Sequence, residues 1–311
     1  MMSTGVDPLP RVAVLLATYN GRKFIASQVR TLLNQALCVV NIWVSDDQST
    51  DGTWEWLCER ADIESRIFLL PRVERFGNAA RNFYRLVREA DFSSCEYVAL
   101  ADQDDIWFDD KLATSIRQLR ERAVAAVSSD VIALWPNGRK SLIRKSQKQR
   151  RLDFLFESAG PGCTYVLTVG FATSFRQFLN DQRQTVGSIQ FHDWMLYAWA
   201  RAYGFAWHIQ SCPTMYYRQH GGNEFGANKG LAALQKRIAR VRAGWYREQI
   251  LDIARLICRG PSYTPECAAT ISLVERRTFF SRVSLAAKVH ALRRRTPDRV
   301  WLLLACVFGG I

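Results

Sequence analysis

The sequence predicts an α/β fold, a mostly parallel sheet with helices on both faces, followed by a basic helical extension. Three observations carry this expectation. Short β-rich apolar runs alternate with stretches of helical periodicity over the first third of the chain, the pattern of a parallel sheet covered on both sides. Three of the apolar runs end in polar clusters, Thr18-Tyr19-Asn20, Asp46-Asp47 and Asp102-Gln103-Asp104. Ligands in such sheets bind beyond the carboxyl ends of the strands, so the clusters mark one edge as a binding site. Finally, no Gly-x-Gly-x-x-Gly follows the first strand and no Walker A sequence is present, which argues against a dinucleotide-binding domain and a P-loop enzyme.

Taken in order, Arg11 to Ala17 (RVAVLLA) reads as the first strand and Thr18-Tyr19-Asn20-Gly21 as its turn. Phe24, Ile25, Val29, Leu32 and Leu33 give Lys23 to Gln35 helical spacing. Val39 to Ser45 is the second strand, a helix covers about Thr53 to Arg60, and Arg66 to Leu70 is the third strand. A helix from Asn78 to Ala90 precedes the strand Glu96 to Leu100, and another helix runs to Arg122. Val124 to Leu134 resembles one more strand, with a tight turn at Asn137-Gly138. Arg139 to Arg151 is strongly basic and is expected as a mobile loop. Tyr165 to Phe171 is strand-like, and Phe191 to Tyr203 has the spacing of an amphipathic helix. Beyond Gly230 the chain reads as helices broken at Gly260-Pro261 and Thr296-Pro297.

A chain of 311 residues accommodates one large α/β domain plus an appendage. The expected division is an enzyme domain over 1–228 and a basic, amphipathic helical region over 229–311. No apolar run is long enough for a membrane span, and the polar start of the sequence lacks a signal-peptide pattern. The eight cysteines stand singly, without metal-site spacing, which suits a reducing cytoplasm. The net charge of +13 is concentrated at the end: residues 229–311 hold 16 Lys and Arg against 5 Asp and Glu, and the rest 26 against 24. That tail implies an anionic partner. Nucleic acid is the competing reading, but no base-reading motif is present and an acidic sheet edge repels phosphate backbones. A basic stretch with Trp301 and Leu302 to Leu304 fits an interfacial membrane anchor, electrostatically assisted by Arg293, Arg294 and Arg295; a helical cap on the core fits equally well.

The chemistry concentrates in Asp102-Gln103-Asp104-Asp105. Carboxylates this close raise one another's pKa unless a cation neutralises them. Oxygen ligands of this kind suit Mg²⁺ or Mn²⁺, which take their remaining ligands from water and substrate phosphates. The other reading of the cluster is an acidic cap for the following helix.

The ordered set ATYNG (Ala17 to Gly21), DDQSTDGT (Asp46 to Thr53), ADQDDIW (Ala101 to Trp107), HDW (His192 to Trp194) and YRQHGGN (Tyr217 to Asn223) resembles family 2 glycosyltransferases. The likeness runs from about Val12 to Ala227 and is greatest to bacterial rhamnosyltransferase-like members that build surface polysaccharides such as O-antigen. It implies a GT-A fold, a nucleotide-diphospho-sugar donor, a divalent cation and inversion at the anomeric carbon. It also implies a glycan or lipid-linked glycan acceptor. The leading donor is dTDP-rhamnose, and a UDP-hexose or UDP-N-acetylhexosamine is the alternative.

The resemblance places Thr18, Tyr19 and Asn20 in the nucleotide-contacting loop and Asp47 on the pyrimidine imide N–H. Asp104 is implied as metal ligand, with Asp102 near the ribose or the metal and Asp105 only orienting the loop. Asp193 is implied as catalytic base, the alternative being a cap for the helix near Trp194. Arg218 and His220 are expected over the diphosphate. Arg75 and Asn82 lie in the donor loop, although Arg75-Phe76-Gly77-Asn78 departs from the Asn-x-Gly pattern of relatives. Gly162-Cys163-Thr164 resembles the loop that approaches the transferred sugar.

Overall fold

The computed structural model describes residues 8–220, 244–307 and 310–311. The apolar runs form β1 (Arg11–Thr18), β2 (Val39–Asp46), β3 (Ile67–Leu69) and β4 (Tyr97–Asp102). Between them lie α1 (Arg22–Leu33), α2 (Thr53–Ile63) and α3 (Ala79–Glu89), close to their expected spans. β5 (Ile106–Trp107), α4 (Lys111–Arg122), β6 (Ala126–Ser129), β7 (Val131–Leu134) and β8 (Lys140–Ile143) follow. Then come β9 (Val166–Thr168), α5 (Val169–Asp181), α6 (His192–Ala202), β10 (Trp207–Gln210) and β11 (Met215–Arg218). After residue 243 are α7 (Trp245–Ile257), α8 (Pro265–Arg276), α9 (Phe279–Ala287), α10 (Val289–Leu292) and α11 (Thr296–Val307).

Seven strands form the main sheet in the order β10-β6-β9-β4-β1-β2-β3. β1 pairs parallel with β2 and β4, in a register that sets Thr18 beside Asp46 and Ala17 beside Asp102. The three polar clusters therefore leave the sheet at one edge. β9 runs antiparallel between β4 and β6, which makes the sheet mostly parallel. Side chains alternate along β1 with a period of two: Ala13, Leu15 and Ala17 join α3, α5 and α6, while Val12, Val14 and Leu16 join α1 and α4. A second sheet, β5-β11-β7-β8, pairs β5 antiparallel with β11 and so carries Arg218 beside the loop of Asp104 and Asp105.

Three expectations need correction. Val124 to Leu134 is two strands in different sheets, split at Asp130. That buried carboxylate accepts the backbone N–H groups of Lys145 (2.6 Å) and Ser146 (2.8 Å) and the Ser146 hydroxyl (3.0 Å). Arg139 to Arg151 is accordingly not a loose loop, since it contains β8 and is tied down by Asp130. Tyr165 to Phe171 is strand only to Thr168, whose hydroxyl caps α5, and Phe171, Phe175, Phe178 and Leu179 then bury at helical spacing.

The boundary expected at 228 and 229 lies outside the described residues. The helices after residue 243 share a core with the sheet, through Ile250, Ile253 and Ile257 of α7 and Leu302 and Cys306 of α11. Two of the three arginines expected to face a membrane are turned inward. Arg294, 3% exposed, pairs with buried Asp153 at 3.0 Å and with Glu157 at 3.7 Å, and donates to Ser158 O. Arg293 donates to the Tyr246 hydroxyl (2.9 Å) and approaches Glu157 at 3.5 Å. A guanidinium buried this way is affordable only because its forked donors find carboxylates and carbonyls. Pro297 sits in the first turn of α11, where a missing N–H costs nothing, so it starts a helix rather than breaking one.

Candidate active site

At the end of β1 the Thr18 hydroxyl donates to Asp46 Oδ1 (2.9 Å). Asp46 also accepts the backbone N–H (2.9 Å) and hydroxyl (2.5 Å) of Ser49 and lies 3.4 Å from Arg72. Asp46 is therefore occupied in shaping its own loop. Asp47 faces the cleft and accepts the N–H groups of Phe76 and Gly77 (2.9 Å), which fixes the 75–77 segment beside β1. A carboxylate has about four acceptor positions, so two remain for a ligand donor.

Tyr19 is held by an amide acting like a neighbouring strand. Its N–H donates to Gln103 Oε1, and Gln103 Nε2 donates back to its carbonyl, both at 2.8 Å. Gly21 makes this approach possible, because a Cβ there would lie 2.1 Å from Gln103 Oε1. The Arg75 guanidinium lies 4.6 Å from the Tyr19 ring centre and donates to its hydroxyl (2.5 Å). Asn82 donates to the Ser45 and Thr18 carbonyls (2.9 and 3.3 Å). Asn20 departs from expectation. It has a positive φ of 48°, its side chain accepts from Thr50 N (2.8 Å), and it does not line the cleft.

The acidic loop divides by direction. Asp102, Gln103 and Asp104 line the cleft, whereas Asp105 is fully buried beneath it. Burial holds the Asp105 carboxyl well above the usual carboxylate range, and the charges of Asp104 and Asp102 push it further. Its Oδ1 accepts from Arg218 N (3.3 Å), and its Oδ2 has no hydrogen-bond partner among the described residues. Deeper still, Lys111 donates to Cys163 O (2.9 Å) and lies 4.2 Å from the Trp107 ring centre; burial pushes its ammonium down to about 8. The sequence placed Gln103 in the acidic cluster without a role of its own and gave no role to Lys111.

Asp104 Oδ2 lies 2.6 Å from His220 Nε2, and the His220 ring stacks on Phe24 at 4.6 Å. Arg218 donates to Ser27 Oγ (2.6 Å) and lies over Phe24. Neither Arg218 nor His220 lines the cleft; both lie beside the acidic loop on the side of α1. Gly221, Gly222 and Asn223 lie outside the described residues.

Asp102, Asp105 and Cys163 offer ligand atoms within 4.8 Å of one another. Burial raises the Cys163 thiol well above its ordinary value, and a protonated soft donor suits Mg²⁺ or Mn²⁺ poorly. Asp102 and Asp104, both at the cleft and with an imidazole beside them, make the better hard-cation set.

The opposite wall comes from α6. Asp193, in its first turn, faces the cleft and accepts from Trp194 N (2.7 Å). Burial raises its carboxyl from 3.8 to about 6, against the opposing pull of Trp194 N–H, the Ser158 hydroxyl and Lys145. His192 stacks on Phe83 at 4.0 Å, and burial pushes its imidazole down to about 3, so it is neutral. Gly162 allows that packing: a Cβ would lie 2.2 Å from His192 Nε2. Trp194 stacks on Tyr246, and Trp245 Nε1 donates to Gln190 Oε1 (3.0 Å), so α7 adds aromatic surface next to Asp193. Sequence reasoning missed this contribution of α7 to the cleft. The whole cleft measures about 990 Å³ and brings together Thr18, Tyr19, Asp47, Arg75, Asp102, Asp104 and Asp193.

The sequence profile of glycosyl transferase family 2 matches residues 13–181. The chain is 37% identical to dTDP-rhamnosyl transferase RfbG of Shigella flexneri over 296 residues, 94% of this chain and 99% of that protein. In fold it is similar to residues 1–349 of S. aureus TarS in complex with UDP: the TM-score is 0.58 at 16% identity, covering 96% of this chain and 80% of that one. It is also similar to the mannosyltransferase PcManGT of Pyrobaculum calidifontis, in complex with GDP-Man and Mn²⁺. There the TM-score is 0.51 at 19% identity, covering 98% and 88%.

Proposed function

The chain belongs to glycosyl transferase family 2, with a GT-A fold and a helical C-terminal extension, and from that premise we propose that it transfers rhamnose from dTDP-rhamnose with inversion. The acceptor in this reading is a glycan or lipid-linked glycan of a bacterial surface polysaccharide, O-antigen among them. One observation carries the proposal: the strand ends that bear Thr18, Tyr19 and Asp47, the acidic loop of Asp102 and Asp104, and the Asp193 carboxylate line one cleft. The similarity to RfbG over nearly its whole length supports the choice of donor.

The pyrimidine lies against Tyr19 and Arg75, with its imide N–H donated to Asp47. The acceptor hydroxyl lies at Asp193, with the sugar ring against the aromatic surface of Trp194, Trp245 and Tyr246. Its oxygen attacks the anomeric carbon, the bond from that carbon to the diphosphate oxygen breaks, and the hydroxyl proton passes to Asp193. A carboxyl near 6 is ionised at neutral pH yet basic enough to take that proton, which is the tuning a general base needs. Asp102 and Asp104 would hold Mg²⁺ or Mn²⁺, which would supply Lewis-acid neutralisation of the departing nucleoside diphosphate.

Thermal melting with nucleotide sugars tests the donor. In Mn²⁺, dTDP-rhamnose should raise the melting temperature most, because stabilisation grows with ligand concentration over Kd. A larger shift with UDP-glucose or UDP-N-acetylglucosamine would reassign the donor to a UDP-hexose.

The same reading sets the enzyme on the inner face of the cytoplasmic membrane. Among the described residues no helix is long and apolar enough to cross a membrane. However, α9 and α11 pack together and leave Phe279, Phe280, Val283, Trp301 and Leu304 exposed, next to exposed Arg276 and Arg277. Apolar side chains flanked by arginine suit an anionic interface. Phe280→Ser with Trp301→Ser should weaken binding to anionic vesicles at least tenfold, taking about 1.5 kcal/mol or more per buried aromatic. Unchanged partitioning of this double variant would remove the membrane from the proposal.

A further inference from the structure

Beside the active-site cleft, and sharing Arg75 with it, the structure has a second cavity of about 610 Å³ whose walls come from the 73–76 segment, α3 and the turn after α5. Five arginines line it (Arg75, Arg81, Arg85, Arg88 and Arg183) against only Glu74 and Glu89. Arg85 is satisfied within the protein, by Glu89 (2.8 Å), Ser45 Oγ (3.2 Å) and Pro71 O (2.5 Å). Arg81 uses Nε on Gly187 O (3.0 Å), and its two terminal nitrogens have no partner among the described residues.

Arg88 and Arg183 are different. Arg88 is half-buried, and neither it nor Arg183 makes a hydrogen bond or ion pair among the described residues. Burial, and then the charge of Arg183, hold the Arg88 guanidinium below its ordinary pKa, so a half-buried cation faces an exposed one across the cavity. Tyr84 belongs to the same wall, with its hydroxyl buried beneath the surface and without a hydrogen-bond partner among the described residues. The carboxylate near Arg88, Glu89, is already bonded to Arg85, so the two unbonded guanidiniums are the complement of an anionic ligand. Guanidinium forks pair with phosphate oxygens through two parallel hydrogen bonds.

We propose that this cavity is a metal-independent binding site for a phosphate-bearing anion, held by Arg81, Arg88 and Arg183. The volume falls in the range of small-molecule sites, large enough for a diphosphate or a phosphate monoester with its organic group. The site does not depend on the donor or acceptor assigned above. It also differs from the donor cleft in chemistry: its two carboxylates are outnumbered, Glu89 is already paired, and no cation is needed to admit phosphate.

Melting of the full chain in EDTA, with inorganic pyrophosphate as the probe, reads this site apart from a metal-dependent donor cleft. Wild-type protein should gain roughly 5 °C at a concentration about 100 times Kd. The Arg88→Gln, Arg183→Gln double variant should melt like wild type without pyrophosphate and lose most of the gain with it. The same gain in both proteins, or none in wild type, overturns the proposal. Should the glutamine pair destabilise the fold, titration calorimetry on Arg88→Lys, Arg183→Lys replaces it, because lysine keeps the charge and loses the fork. Affinity about tenfold weaker is expected there, and unchanged affinity overturns the site. Vesicles carrying phosphatidic acid separate the sources of phosphate. Binding to wild type that the glutamine variant loses assigns the group to a lipid headgroup; equal vesicle binding beside a variant-sensitive pyrophosphate shift assigns it to a soluble phosphate ester.

Discussion

Asp193→Asn should lower kcat by roughly 10²–10⁴ and leave the affinity for donor nucleotide nearly unchanged. The asymmetry follows from where the carboxylate acts. It stands in the first turn of α6 and lines the same cleft as Tyr19 and Asp47, and in the proposed reaction its work is on the acceptor proton in the transition state. Asparagine keeps an oxygen to accept Trp194 N–H and removes the basicity, which separates the chemical role from the local bond. Wild-type kcat should rise with pH through about 6, as the raised carboxyl ionises, and the variant should lack that limb. The stability control has a definite sign. The folded carboxyl holds its proton to about 6 and the unfolded one only to 3.8, so wild type loses stability as pH rises between those values. The variant has no such loss and should be at least as stable at pH 7. Near-wild-type turnover in Asp193→Asn would reduce Asp193 to a helix-end residue and send the search for a base elsewhere.

The strands and helices through α4 were legible because each obeys its own period and is closed by polar turn residues. Val124 to Leu134 failed where a tertiary contact overrode a local signal: one buried carboxylate, Asp130, cuts an apolar run into strands of two sheets. Thr168 did the same to Tyr165 to Phe171, because a β-branched residue that suits a strand also caps a helix. Of the residues read from the motifs, Thr18, Asp47, Asp102 and Asp104 lie together where β1, β2 and β4 end, since strand register delivers them there, whereas Arg75 and Asp193 reach the same cleft from other segments and Asn20, Arg218 and His220 do not line it. Lys111, Gln103 and the aromatic wall of α7 escaped, as each acts through a partner distant in sequence: Cys163, Tyr19 and Trp194 respectively. Arg293 and Arg294 illustrate the converse. A run of arginines next to apolar residues has the composition of a membrane anchor, yet Asp153 and Glu157, more than a hundred positions earlier, draw both inward. Composition records how many charges a segment holds, and only packing decides which way they face.

Asp104→Ala should damage donor binding and turnover together, with kcat/KM lower by roughly 10³ or more, the loss expected when charge stabilisation of several kcal/mol is removed from a leaving group. EDTA should impose the same defect on wild type and add little to the variant. The structure supplies the contrast that gives this test its force. Asp104 and Asp105 are adjacent in sequence, but one lines the cleft beside His220 and the other is sealed beneath it against Arg218 N. Burial and two neighbouring carboxylates favour the protonated form of Asp105, a form that asparagine imitates in shape and polarity. Asp105→Asn should therefore keep most of the Mn²⁺-dependent nucleotide affinity that Asp104→Ala loses. If Asp105→Asn instead abolishes that affinity and Asp104→Ala preserves it, the ion is held by the buried group of Asp102, Asp105 and Cys163, and the role of Asp104 reduces to pairing with His220. If both variants and EDTA leave transfer intact, the acidic loop is a structural cap for α4 and the reaction proceeds without a divalent cation.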